Sequence, residues 1–157
     1  MKFTSILSVP SILALLFLFA TSASFAQSYS TIDGKTCIGT WKTIDDETEK
    51  ARSHVQIYEK DGKYYGKIIK LLNRTPDEDQ DPICEVCPGD RKGKKVVGMI
   101  IVNDMVKESN RYASGKILDP KKGKEYGCTM WLTDKNTLKV RGWWGMLYRT
   151  QTWYRVD

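Results

Sequence analysis

The chain has 157 residues, 41% of them hydrophobic, which suits one ordinary domain with its own core. Its 25 Lys and Arg against 19 Asp and Glu give a formal charge of +6, and the basic residues fall at nearly every turn. Such scattered basicity argues against a nucleic-acid partner, which calls for basic clusters interleaved with aromatics on one face.

The first element is a leader. In "MKFTSILSVPSILALLFLFATSASFAQS", Lys2 precedes an apolar run from Ile6 to Ala20, and small residues follow up to Ala26. This pattern is read as a secretory signal peptide over residues 1–26, cleaved before Gln27. The run is interrupted by Pro10 and Ser11 and falls short of the roughly 20 apolar residues a membrane helix needs. No stable membrane insertion is therefore expected after cleavage. The mature protein is expected in the periplasm or outside the cell. Residues 27–37 read as an N-terminal segment ahead of a single domain over 38–157.

Beyond the leader the pattern is strand-like, with no helical stripe of apolar residues. "IGTWKTI" (Ile38–Ile44) is followed by the acidic turn "DDETEK". "ARSHVQIYE" (Ala51–Glu59) leads through "KDGK" into "YYGKIIKLL" (Tyr64–Leu72); Asp-Gly is a strong hairpin signal because the turn needs positive φ. A long loop, Asn73–Lys95, precedes "VVGMIIV" (Val96–Val102). The remaining strands are expected at Arg111–Leu118, Glu125–Leu132, Thr137–Trp144 and Leu147–Val156, joined by "DPKKGK", "TDKN" and "GM". About eight short strands joined mostly by hairpins predict an all-β fold, a single small antiparallel up-and-down barrel.

The loop carries "DPICEVCPGDRKGKK", with Cys84 and Cys87 in C-x-x-C spacing; Cys37 and Cys128 are lone strand residues. In an exported chain an even cysteine count favours disulfides, and four cysteines allow three pairings, which stay open here. A structural zinc site wants a second close pair. A redox centre wants the motif at a helix N-terminus, not in a proline-flanked loop with Glu85 between the thiols. No metal or other cofactor is expected. Asp77, Asp79 and Asp81 alternate like the start of a calcium loop, but Pro82 and Pro88 occupy its glycine and final glutamate positions. His54 is the single histidine and no nucleophile elbow accompanies it, so no catalytic residues are assigned and a non-enzymatic role is favoured. Trp143 and Trp144 are adjacent on a strand, so one should face inward and the other outward.

The Gly39-Thr40-Trp41 that opens the first strand resembles the first-strand signature of lipocalins and other calycins. A broader match, from Gly39 to Val156, resembles a family of small exported bacterial proteins known only as a domain of unknown function. It rests on Gly66 and Ile68, Gly98, Asp119-Pro120, Gly123-Lys124, Tyr126, "LKVRG" and above all the terminal "RTQTWYR". Many relatives carry a cysteine where this chain has Trp143, so their disulfide pattern does not transfer.

The resemblance implies a lipocalin-like barrel. It implies that Trp41 packs at the closed end beside an arginine from the last strand, Arg149 or Arg155. It also implies a lumen suited to a small apolar or amphipathic ligand, with candidate lining residues Ile57, Tyr65, Ile69, Met99, Ile101, Met130, Leu138 and Val140. The alternative is an envelope structural or interaction protein that uses its outer surface, the long loop and an exposed Trp143 or Trp144. No particular protein partner is indicated.

Overall fold

A computed structural model describes residues 36–156. The expected signal peptide, its cleavage point and most of the 27–37 segment lie outside the described residues. Eight strands follow one another: β1 Gly39–Ile44, β2 Ala51–Lys60, β3 Lys63–Leu71, β4 Ile100–Glu108, β5 Arg111–Asp119, β6 Lys124–Asp134, β7 Thr137–Trp144 and β8 Leu147–Arg155. They form a closed antiparallel barrel in chain order, with β8 returning to β1. Among the described residues no helix is long and apolar enough to cross a membrane.

Local chemistry sets the turns. Asp61 (φ 52°) and Gly62 (φ 74°) make the tight β2–β3 hairpin, where left-handed backbone matches the strand twist. At the β6–β7 turn Asp134 Oδ1 accepts the Asn136 N–H at 2.8 Å. At the β5–β6 turn Asp119 Oδ1 accepts the Lys121 N–H at 3.0 Å, while its carbonyl accepts the Gly123 N–H at 2.8 Å.

Strand β4 departs from the sequence expectation. Val96–Met99 belongs to the loop: the Val96 N–H donates to the Pro82 carbonyl and the Gly98 N–H to the Ile68 carbonyl, at 2.8 and 2.7 Å. The strand instead runs on through the polar stretch Asn103–Glu108. A bulge between the pairs Gly66↔Val102 and Tyr64↔Met105, with Asp104 at φ 54°, breaks the alternation that would have revealed it.

The core fills one half of the barrel. Trp41, Ile57, Val102, Met105, Met130 and Leu138 are at most 1% exposed. Burying each such side chain stabilises the fold by about 1.5–3 kcal/mol. Trp41 Nε1 donates to the Cys37 carbonyl at 2.8 Å, and the Tyr112 hydroxyl accepts the Cys37 N–H at 3.2 Å. These bonds draw the segment ahead of β1 across this end of the barrel.

Candidate functional site

The opposite end is open. A cavity of about 1070 Å³ lies where the β1–β2, β3–β4, β5–β6 and β7–β8 connections gather. Alternation along the strands builds its wall. Inward positions continue from Trp41 to Thr43 on β1 and from Val55 to Ser53 on β2; the two hydroxyls bond each other at 2.8 Å. Ile68, Ile101, Leu118, Val140 and Trp153 form its apolar floor, each at most 6% exposed. Gln151 supplies a fixed amide: its oxygen accepts Trp153 Nε1 at 3.2 Å and its nitrogen donates to Asp46.

The rim is charged and laced. Asp45 Oδ1 accepts the backbone N–H groups of Glu47 and Thr48, each at 3.0 Å, and Arg52 stands 3.7 Å away. The Thr48 amide is the foremost cause that holds this carboxyl below its ordinary range. Asp46 pairs with Arg149 at 3.0 Å and Glu47 with Lys121 at 2.7 Å. Near the mouth Asp46 bridges from the β1–β2 loop to β8, where strand pairing has ended; β1 and β8 pair only at Trp41↔Arg155 and Lys42↔Tyr154.

The sequence candidates divide by position. Ile101 and Val140 line the cavity. Ile57, Met130 and Leu138 are buried in the filled half, below it. Met99 is buried beneath the long loop, its sulfur 3.9 Å from that of Cys87. Tyr65 and Ile69 face outward, a correction to their expected placement: Tyr65 bonds Asp104 at 3.1 Å and Ile69 is 39% exposed. The stretch "YYGKIIKLL" is apolar at both parities, and the structure buries Tyr64, Gly66 and Ile68 instead. Arg155 is the arginine over Trp41, at 4.2 Å from its ring centroid. Arg149 sits at the other end, paired with Asp46, and so does not close the barrel.

Cys84 and Cys87 form a disulfide with 5.5 Å between their Cα atoms, while Cys37 and Cys128 are free and buried. The disulfide loop folds back on itself through the Ile83↔Lys95 bridge and packs on the β5–β6 turn. There Gly123, at φ 63°, leaves no room for a side chain: a Cβ would come within 1.9 Å of the Val86 carbonyl oxygen. Arg91 and Glu125 pair across this contact at 2.8 Å. The loop therefore walls one side of the mouth, to which it contributes Pro82, Ile83 and Val96.

Of the adjacent tryptophans, Trp144 is the rim residue and 73% exposed. Trp143 lies on the outer face over Gly127, where a Cβ would meet its ring at 2.3 Å. Residues the sequence reading missed include Thr43, Ser53, Leu118 and Arg74. Strand parity counted back from Trp41 and Ile57 would have found the first two. Leu118 was obscured by the β5 irregularity, where Ser114 has φ 63°.

A closed up-and-down barrel of eight antiparallel strands, sealed at one end and hollow at the other, defines a lipocalin-like barrel protein. The chain belongs to the DUF2147 family, described as an uncharacterized protein conserved in bacteria, whose profile matches residues 39–155. Among solved structures it is similar to protein HP1028 from the human pathogen Helicobacter pylori, described as belonging to the lipocalin family. The two share 22% sequence identity with a TM-score of 0.66, over 78% of this chain and 84% of that one. At this identity the likeness carries the fold. No curated protein matches the chain.

Proposed function

We propose that the protein is exported and, without catalysing a reaction, binds a small apolar or amphipathic ligand in the open half of its barrel. The carrying observation is the cavity itself. About 1070 Å³ of space has an apolar lining from Ile68, Leu118, Val140 and Trp153, beneath a rim of charged residues. Pockets of this size and make-up suit small molecules with an apolar body and a polar end. Export is supported by the leader pattern of residues 1–26 and by the Cys84–Cys87 disulfide, which suits an oxidising compartment.

Native mass spectrometry on protein purified from the bacterium that makes it tests the ligand. A mass above that of the polypeptide, released by organic solvent, is expected. Repeated preparations that contain the bare chain alone would count against the carrier role. N-terminal sequencing of the same material should begin at Gln27; a start at Met1 would remove the export reading.

One observation favours a second reading, contact with an envelope partner. The β7–β8 hairpin ends in Trp144, Met146, Leu147 and Tyr148, which are 73, 97, 72 and 67% exposed. Clusters of that kind often mark interaction surfaces. Photo-crosslinking from position 146 in cells that captured nothing would argue against it.

A further inference from the structure

The charged rim of the cavity is nearly self-satisfied. Asp45 and Asp119 both face Arg52 at 3.7 Å, Asp46 meets Arg149, Glu47 meets Lys121, and Glu78 accepts the Thr75 N–H at 2.7 Å. Every carboxylate lining the cavity is thus engaged within the chain. The lining cations are not all engaged. Lys50 and Lys122 are exposed at the surface. Arg74 differs: it is partly buried, makes no hydrogen bond or ion pair with the described residues, and its Nε is buried without a partner.

A buried, unpaired donor on a charged group is costly, about 1–3 kcal/mol or more. The backbone holds it there. Asn73, at φ 52°, turns the chain as it leaves β3 and anchors it by donating its side-chain amide to the Ala51 carbonyl at 2.8 Å. Arg74 follows directly and lines the cavity with Leu71 and Leu72 beside it. A guanidinium presents a planar fork of donors matched to carboxylate and phosphate oxygens. Its Nη groups, unlike Nε, are not buried, so an oxyanion entering the cavity could pair with that fork and neutralise the guanidinium's charge.

We propose that Arg74 anchors the anionic head of the cavity's ligand, which is therefore an amphiphile with a carboxylate or phosphate group on a hydrocarbon tail. This rests on the ligand-binding reading above. In the bound arrangement the tail lies against Ile68, Leu118, Val140 and Trp153, and the head stays at the mouth.

Calorimetric titration of the mature chain with decanoate, decyl phosphate and decanol tests the assignment. At least one anion should bind about tenfold or more tightly than decanol, the amount a hydrogen bond to a charged group supplies. Preference for decanoate points to a free fatty acid, and preference for decyl phosphate to a phospholipid-type head. Arg74→Gln should erase the anion preference yet still bind decanol, which also reports that the variant is folded; Arg74→Lys should restore part of the preference. Equal binding of anions and decanol, or a preference that survives Arg74→Gln, overturns the anchor while leaving a ligand-binding barrel. Failure of all three probes to bind overturns both.

Discussion

The Arg155 guanidinium lies 4.2 Å over the ring of Trp41 and also holds three backbone carbonyls. Its Nη1 donates to Ile38 and its Nη2 to Thr36, both at 2.9 Å, and its Nε donates to Lys135 at 2.6 Å. One side chain on β8 thereby ties the entry to β1 and the β6–β7 turn across the filled end. Cation–π contact and charged hydrogen bonds act together at a partly buried site.

Replacing this residue should therefore be costly. Arg155→Ala is expected to lower stability by about 3 kcal/mol, and Arg155→Lys by less, since the charge remains but the fork is lost. Arg149→Ala, which breaks an ion pair with Asp46 at a half-exposed position, should cost under about 1 kcal/mol. Urea denaturation of the three variants checks the ranking. Equal losses at the two arginines would contradict the division of roles.

A close approach of strands makes a second prediction. Gly115 faces β4 so tightly that a Cβ would sit 2.3 Å from the Asn103 carbonyl oxygen and 2.4 Å from the Met105 sulfur. Gly115→Ala should destabilise by about 1–3 kcal/mol or more, because packed backbone cannot give way. Gly142 is the control: its added Cβ would meet nothing nearer than Ile117 at 3.5 Å. Gly142→Ala should fall within about 0.5 kcal/mol of the parent. Thermal melts of both proteins decide it, and a tolerated Gly115→Ala would mean that this strand contact is looser than described.

The hairpin chemistry made most of this barrel readable in advance. Asp61-Gly62, the Asp119–Gly123 turn and Gly145 each carry a residue suited to left-handed backbone, and the strands on either side of them follow in order. Parity was harder. Tyr64 and Tyr65 are equally apolar, and only the tertiary structure tells which is covered; Tyr64 packs edge-on against Tyr112 at 4.7 Å between ring centroids. Bulges at Asp104 and Ser114 then shift the alternation on β4 and β5. The cavity was less legible for another reason. Nothing local in the sequence says where side chains stop filling a barrel, and Arg74 sits in a loop whose path depends on Asn73 reaching back to Ala51.

Burial raises both free thiols. It pushes the Cys37 and Cys128 pKa values up to about 12 from an ordinary 9.0, as water is excluded from the would-be thiolates. Folded thiols stay protonated where unfolded ones ionise. Between these values the native state holds more protons than the unfolded state, so stability falls as pH rises from about 9 toward 12. Native protein should react negligibly with Ellman's reagent at neutral pH and release two equivalents of colour once denatured. Rapid reaction of either thiol in the native state would contradict the described burial.

The central claim is that an amphiphile enters the hollow end of the barrel and lies against Trp153. Quenching of tryptophan fluorescence by a dibrominated stearic acid tests this most directly, because bromine quenches only on contact. Trp153 lines the cavity while being only 1% exposed to solvent, and Trp41 lies in the filled half. Saturable quenching is predicted in a Trp144→Phe parent, which removes the rim indole, mostly lost when Trp153→Phe is added and largely kept when Trp143→Phe is added, whose ring lies outside. No quenching at saturating probe, or quenching unchanged by Trp153→Phe, would contradict the account.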